Sequence, residues 1–467
     1  MDAERLLPDC SSQNGVNAEK GSSPKVTFAV VCSSFIVLCC FFTYGCACGY
    51  SSPAESGIIH DLGLSTAEYS TFGSLLLFGS MLGAIISGKV ADIIGRRGAL
   101  WFAELLLIIG WLAIAFAKGV WWLIVGRLLL GFSTGVQTYV SIVYLAETIP
   151  PNNRGGFTMA SQFMACAGIA VMFSFGNIIP WRFLALIGTI PCIIQLIGLF
   201  FVPESPRWLA NVGRQKELEA SLQWLRGKET DISQEAAEIQ DCNQSLYKQP
   251  ISRFQELLET RYARPVSIGV GLSFLLPWGG SNGVLLYASS IFDTAGCNVG
   301  IATTTMSFIQ IPFSVLGVLL MDKFGRRPLL MVDLAGACLG GLLIGVGFLL
   351  QDLKLPVDLS ATTVFVGMQM FFAFYAFGAG LPFVIIAEVF PMNIKGTAGS
   401  LAAFINYLNS WIVAYVFNFL FKWSSAGAFF IFSIIYALLI LFVLKMLPET
   451  KKKSLEEIQA LWTQEVH

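Results

Sequence analysis

AETIPPNNRGG at residues 146–156 and AEVFPMNIKGT at residues 387–397 are one device written twice. In each, a glutamate is followed by proline three residues on, a base seven on, and glycine directly after. The residues are Glu147, Pro150, Arg154 and Gly155, then Glu388, Pro391, Lys395 and Gly396. A second pair lies upstream of each copy: ADIIGRRG at 91–98 and MDKFGRRP at 321–328. Two motifs recurring in the same order make this chain an internal duplication.

What lies between the motifs is apolar. Hydrophobic residues make up 55% of the 467 and charged ones 13%, about half the charged share of a soluble globular protein. Runs of roughly 20 apolar residues can cross a hydrocarbon core of about 30 Å as helices. Twelve such runs start near Thr27, Ser70, Ala99, Val120, Phe157, Phe183, Val266, Ile301, Leu329, Ala361, Gly396 and Ala426. The chain therefore reads as an all-α polytopic membrane protein of twelve transmembrane helices in two six-helix halves. The first apolar run is too long for a signal-peptide core and lacks a cleavage site, so no cleaved signal is expected.

Lysine and arginine orient the spans. With the N-terminus in the cytosol, inside segments hold 24 of the 29 basic residues, outside segments hold four, and Arg127 lies within the fourth span. Both termini are then cytosolic, and the sequon at Asn243 falls on the side where it goes unused. The expected organisation is an N-tail at 1–25, a first half at 26–202, a linker at 203–264, a second half at 265–447 and a C-tail at 448–467. In the linker, GRQKELEASLQWLRG (213–227) puts Leu218, Leu222 and Leu225 on one face. SRFQELLETR (252–261) opens with a capping-box pattern at Ser252 and Gln255. These predict short amphipathic helices beneath the membrane domain, not a separate enzyme.

Several function classes drop out. A net charge of −1 gives no reason to expect a nucleic-acid partner. Most of the eleven cysteines sit in apolar runs as small hydrophobes. No Cys/His spacing suggests zinc, no nucleophile or acid–base cluster appears, and no cofactor is expected. Gly83 to Lys89 imitates the start of a phosphate loop, but Val90 replaces the Ser/Thr and the context is an apolar helix. Gly79/Gly83, Gly131/Gly135 and Gly336/Gly340 are small-residue pairs for close helix packing. Duplicated six-helix halves are one plan of a secondary transporter.

The sequence resembles the sugar porter family of the major facilitator superfamily. The resemblance rests on GKVADIIGRR (88–97), DKFGRRP (322–328), both Glu-Pro-base-Gly motifs, GRLLLGFSTG (126–135), PESPRW (203–208) and PETKKKSLEEI (448–458). CACGYSSPAESG (46–57) and GLSTAEYSTFGS (63–74) are most similar to the plant early-response-to-dehydration monosaccharide transporters within it. The resemblance implies a major facilitator fold and a carrier of monosaccharides such as glucose or fructose. It implies a lipid bilayer as surroundings and a single chain as sufficient for transport; the sequence does not give the oligomeric state.

It also implies roles. Asp92, Arg96 and Arg97 with Glu147, Arg154 and Glu204 would latch the first half on the cytosolic side. Asp322, Arg326, Arg327, Glu388 and Lys395 would latch the second. Such pairs are expected to form when the inside is shut and to be hydrated when it opens. The plainer reading of the bases is orientation alone. Ile93 stands where the family has a base, which predicts a weaker first latch. Sugars are neutral polyols, so amides, hydroxyls and aromatic faces should bind them. Gln162, Asn282, Gln310 and Asn406 match the family's sugar-contact positions, with Phe383 and Tyr407 as stacking aromatics; helix packing is the alternative for each. The family's helix 7 glutamine pair is replaced by Leu276 and Pro277, which predicts weak affinity or a shifted substrate.

Arg127 lies roughly 10 Å into its span. At about 2.5–3.5 kcal/mol on insertion scales, its charge calls for a partner that the sequence does not name. Proton-driven members carry an aspartate after Gly-Tyr on the first span, where this chain has Ser51. Glu55, Glu104 and Asp333 read as too near an interface to replace it. Facilitated diffusion is the resulting expectation, with proton-coupled symport or antiport as the alternative. A non-transporting sugar sensor is a further one, disfavoured by a C-tail of about 20 residues. Leu6 and Leu7, after Asp2 and Glu4, fit an acidic dileucine signal for the vacuolar membrane, against the plasma membrane.

Overall fold

The computed structural model describes residues 27–149, 154–227, 231–246, 262–390 and 394–447. The N-tail with Leu6 and Leu7, the pattern at Ser252 and the C-tail lie outside these residues. The first half consists of α1 (Phe28–Gly49), α2 (Ser51–Leu62), α3 (Thr66–Ile94), α4 (Arg96–Ala115), α5 (Val120–Thr148), α6 (Arg154–Gly176) and α7 (Trp181–Gly198). Three short helices follow: α8 (Pro206–Val212), α9 (Gln215–Arg226) and α10 (Ser233–Leu246). The second half runs through α11 (Ala263–Leu275), α12 (Ser281–Leu286), α13 (Ala288–Thr294), α14 (Val299–Phe324), α15 (Arg326–Asp352), α16 (Val357–Gly378), α17 (Leu381–Val389), α18 (Lys395–Trp423) and α19 (Ser425–Met446).

Among the described residues, ten helices are long and apolar enough to span a membrane. The two remaining runs of the expected twelve are α6, whose apolar stretch Ala160–Gly176 is shorter, and the broken series α11–α13. Starts are set locally. Ser65 and Glu68 form a reciprocal capping box at α3, and Asn298 and Ser424 cap α14 and α19.

The repeated Gly-Arg-Arg motifs need their glycines. Gly95 has φ 84° and ψ 168°, and Gly325 has φ 92° and ψ 165°, a region open essentially to glycine alone. Each turns the chain sharply between two spans, and a Cβ on Gly95 would lie 2.3 Å from Glu204 Oε2. The small-residue pairs also do what their spacing suggests. A Cβ on Gly131 would meet the Leu76 carbonyl at 2.2 Å, and one on Gly135 the Ser80 carbonyl at 2.3 Å. The α3 and α5 backbones therefore touch.

The series α11–α13 replaces one continuous seventh span. Pro277 brings no N–H to the helix ladder, and Gly280 takes φ 83°, so the helix tightens to a 3₁₀ turn at Leu276–Gly279 and restarts. The glycines then let this segment settle onto rings. A Cβ on Gly283 would lie 2.7 Å from Phe417, and one on Gly279 2.5 Å from Tyr436.

The linker helices pack as their pattern predicts. Leu218, Leu222 and Leu225 are all buried, the first two in a small core with Trp208, Leu209 and Ala236. They fasten to the first half at the end that carries Gly-Arg-Arg, hereafter the motif face. Arg226 donates to the Thr148 carbonyl at 3.2 Å, and Trp208 Nε1 to the Asp92 carbonyl at 3.0 Å.

Candidate functional site

At the motif face of the first half, the α3–α4 turn presents Arg96 to the end of α5. Its guanidinium holds Glu147 as a fork, Nε to Oε2 and Nη2 to Oε1 at 3.1 Å each. Nη1 donates to Asp92 at 3.1 Å, and Ser205 donates to Glu147. Charge-assisted bidentate pairs of this kind are the strong class of hydrogen bond. Glu204 accepts the backbone N–H groups of Ser205, Arg96 and Arg97 at 2.8, 2.9 and 3.1 Å. Burial nevertheless pushes its carboxyl above the ordinary range, against those bonds. Arg97 caps the Phe200 carbonyl at 3.0 Å.

In the second half, Arg326 Nε and Nη2 both reach Glu388 Oε1 at 3.1 Å, and Arg327 donates to the Leu444 carbonyl at 2.7 Å. The first latch is the more deeply buried one. The Arg96 and Glu147 side chains are 1% and 0% exposed, against 20% and 27% for Arg326 and Glu388. Ile93 itself points away, 77% exposed. The side chains of Arg154, Asp322 and Lys395 lie outside the description.

Among the described residues, hydrogen bonds that join the two halves are found at the opposite face. Ser52 donates to Ser289 Oγ at 2.8 Å, and Ser290 to Glu55 at 2.6 Å. The Asn177 amide reaches Thr303 at 3.1 Å, and Lys422 reaches Thr66. Nearer mid-depth, Phe78 on α3 packs on Trp411 of α18, centroids 5.2 Å apart. The Arg96–Glu147 and Arg326–Glu388 pairs each lie within one half, and both are formed while the opposite face is joined.

Between these ends a cavity opens in the wall of the second half. It is lined by Leu276, Pro277, Ser281, Asn282, Asp333, Tyr375, Gly378, Ala379, Pro382, Phe383, Asn406, Ser410 and Tyr436. Three of the six expected sugar contacts meet there: Asn282 from the restarted α12, Phe383 from α17 and Asn406 from α18. The other three do not line it. Gln162 turns its amide to Cys166 Sγ at 3.7 Å, and Gln310 is 2% exposed with its amide on the Met306 carbonyl at 3.2 Å. Tyr407, beside Asn406, is partly buried outside the lining. Leu276 and Pro277 occupy the wall where the family's amide pair would stand, leaving that stretch apolar.

Two acids stand elsewhere than the sequence reading put them. Glu104 is shielded by protein: it is fully buried and accepts from Gln137 inside the first half. Asp333 is shielded too, 7% exposed on the cavity wall. A depth signal was available. Asp333 stands seven residues into α15, as Arg127 stands seven into α5, which is roughly 10 Å of helix in both cases. Ser281, Tyr375, Ser410 and Tyr436 were also missed; hydroxyls in apolar spans are too common to single out.

Arg127 finds its partners on the first span. It donates to the Ala47 carbonyl at 2.8 Å and to the Ser51 hydroxyl. The Phe72 and Tyr50 rings lie 4.6 and 5.4 Å from its guanidinium carbon. Ser51 thus faces Arg127 where an acid would have made an ion pair.

The family described as "Sugar (and other) transporter" matches residues 24–462. "Sugar transporter ERD6-like 18" of Arabidopsis thaliana is 46% identical over 445 residues, 95% of this chain and 93% of that protein. "Sugar transporter ESL1" of the same plant is 44% identical over 453 residues, 97% and 95% of the two chains. Among solved structures, the inward-open conformation of the xylose transporter XylE from E. coli superposes with a TM-score of 0.79 at 25% identity, covering 93% of this chain and 100% of that one. XylE bound to 6-bromo-6-deoxy-D-glucose, described as a proton:xylose symporter, scores 0.72 at 24% identity, covering 93% and 99%.

Proposed function

The chain belongs to the sugar transporter family, and from that premise we propose that it carries hexoses such as glucose or fructose across a membrane by alternating access, as facilitated diffusion. It is a multi-pass membrane carrier and not an enzyme. The observation that carries the reading is the mid-depth cavity, where Asn282, Asn406, Ser281 and Ser410 offer amides and hydroxyls with no cationic side chain in the lining. Neutral polyols need donors and acceptors, and the apolar part of the wall suits a sugar's C–H face.

The motif face is cytosolic in this proposal, since twenty-four of the twenty-nine basic residues fall on that side. With the opposite face joined by Ser52, Glu55, Asn177 and Lys422, the arrangement described is then the inward-facing one. Arg96 with Asp92 and Glu147, Arg97 with Glu204, and Arg326 with Glu388 serve as fasteners that keep each half rigid as it rocks. By their place in the motifs, Arg154, Asp322, Arg327 and Lys395 belong to the same fasteners. Gln162, Gln310 and Tyr407 contact the sugar when the first half closes over it, and Asn282, Phe383 and Asn406 hold it throughout.

The vacuolar membrane is the proposed address, with the plasma membrane as the alternative, on the pattern at Leu6 and Leu7. A fluorescent fusion carrying Leu6→Ala and Leu7→Ala should leave the vacuolar membrane. Wild type and variant together at the cell surface would refute that address. Transport itself is tested by radiolabelled hexose flux into proteoliposomes. Flux that saturates and exchanges with internal sugar supports the carrier, and an absence of hexose flux refutes it.

A further inference from the structure

Asp333 is a carboxylate without a companion. It sits on α15, 7% exposed, and what it exposes faces the cavity. No hydrogen bond or ion pair reaches it from any described residue. The helices packed around it add no charged side chain to the lining: Tyr375 from α16, Tyr436 from α19 and Phe383 from α17 stand there. The nearest charges along its own helix are engaged elsewhere: Arg327 donates to the Leu444 carbonyl and Arg326 is held by Glu388. The fold keeps room for this side chain. A Cβ on Gly378 would come within 2.1 Å of the Asp333 carboxyl carbon and of Oδ2, so glycine is what permits the acid here.

A buried carboxylate is costly unless hydrogen bonds satisfy it, and a carboxylate can accept two at once. No described protein group supplies them, so they come from what fills the cavity. Across that cavity Leu276 and Pro277 leave their own stretch of the wall without amides. A monosaccharide there lacks one set of polar partners and finds another at Asp333. Vicinal hydroxyls can approach the two oxygens of one carboxyl group together, and a carboxyl group offers an acceptor at each.

We propose that Asp333 is a specificity-determining residue of this carrier, accepting hydrogen bonds from a pair of hydroxyls on the bound monosaccharide in place of the amides missing at Leu276 and Pro277. The inference rests on the carrier reading above and adds to it the group that grips the sugar.

The test is a coupling experiment on the full chain in proteoliposomes. KM is measured for D-glucose and each of its singly deoxygenated derivatives, in wild type, Asp333→Asn and Asp333→Ala. In wild type, the derivatives lacking a gripped hydroxyl should show KM raised about tenfold or more. In Asp333→Ala those derivatives and glucose should have equal KM, while penalties for the other derivatives stay as in wild type. Asp333→Asn keeps the shape and one acceptor, so it should give a reduced penalty, and it carries the test if the alanine variant does not fold. A variant that merely loosened the fold would lower flux for all the sugars alike and leave the ratios unmoved, which would overturn the proposal. Absence of wild-type hexose flux would sink the carrier reading itself. Wild-type flux with unmoved ratios sinks the role of Asp333 alone.

Discussion

At the residue scale, the polar content of the cavity is decided by single side chains, and Leu276 is the most informative of them. It lines the cavity within the 3₁₀ turn, next to Pro277. The two positions differ in what a substitution would do. Pro277 helps make the turn, so Pro277→Gln alters backbone as well as chemistry. Leu276→Gln changes chemistry alone. An amide facing a sugar hydroxyl contributes about 1–1.5 kcal/mol, close to tenfold in affinity. Leu276→Gln should therefore lower the KM for glucose or fructose about tenfold from a millimolar wild-type value. Hexose uptake titrations in proteoliposomes check this. Micromolar affinity in the wild type, or no change on substitution, would show that the wall at 276 does not meet the sugar.

At the element scale, alternation means that α2 and α13 part and meet again. Their contact is small and polar: Ser52 Oγ donates to Ser289 Oγ and accepts the Ser289 N–H at 2.7 Å, beside Ser290 on Glu55. Such contacts suit a gate. Each contributes on the order of 1 kcal/mol, and water replaces it when the helices separate, so two states can lie within a few kcal/mol. Ser52→Cys combined with Ser289→Cys should form a disulfide under mild oxidant that locks this face shut. Hexose flux should fall to background in the oxidised double variant and return on reduction. Each single variant should be insensitive to oxidant. Full flux in a carrier verified as cross-linked would mean that this contact never opens in the cycle.

At the scale of the whole molecule, the question is whether a gradient drives the sugar. Coupling needs an ionisable group exposed to one solution at a time. Arg127, sealed among Ala47, Ser51, Tyr50 and Phe72, has a hydroxyl where an acid could have lost and regained a proton. Glu104 is closed within the first half on Gln137, and Asp333 is assigned to the sugar. Uptake into proteoliposomes under an imposed pH gradient should therefore stop at equal sugar concentrations on the two sides. Accumulation above the external level, abolished by a protonophore, would overturn facilitated diffusion and direct attention to Asp333.

The sequence by itself determined the architecture. Span length answers to bilayer thickness, and duplication is preserved in covalent order. Gly95 and Gly325 announce backbone turns that other residues resist, and Leu218, Leu222 and Leu225 show an apolar face because the linker lies in water. None of these depends on which way a spanning helix is rotated. The site does depend on it. In α15 both lipid-facing and core-facing positions are apolar, so no periodic pattern says that position 333 turns inward. Only packing against α16 and α19, with Gly378 left open for it, puts Asp333 on the cavity wall. Packing likewise brought Ser51 to Arg127 and turned the Gln310 amide onto its own helix. Tertiary structure decided these because they are relations between helices distant in sequence, and uniform apolarity erases the signal that would reveal them.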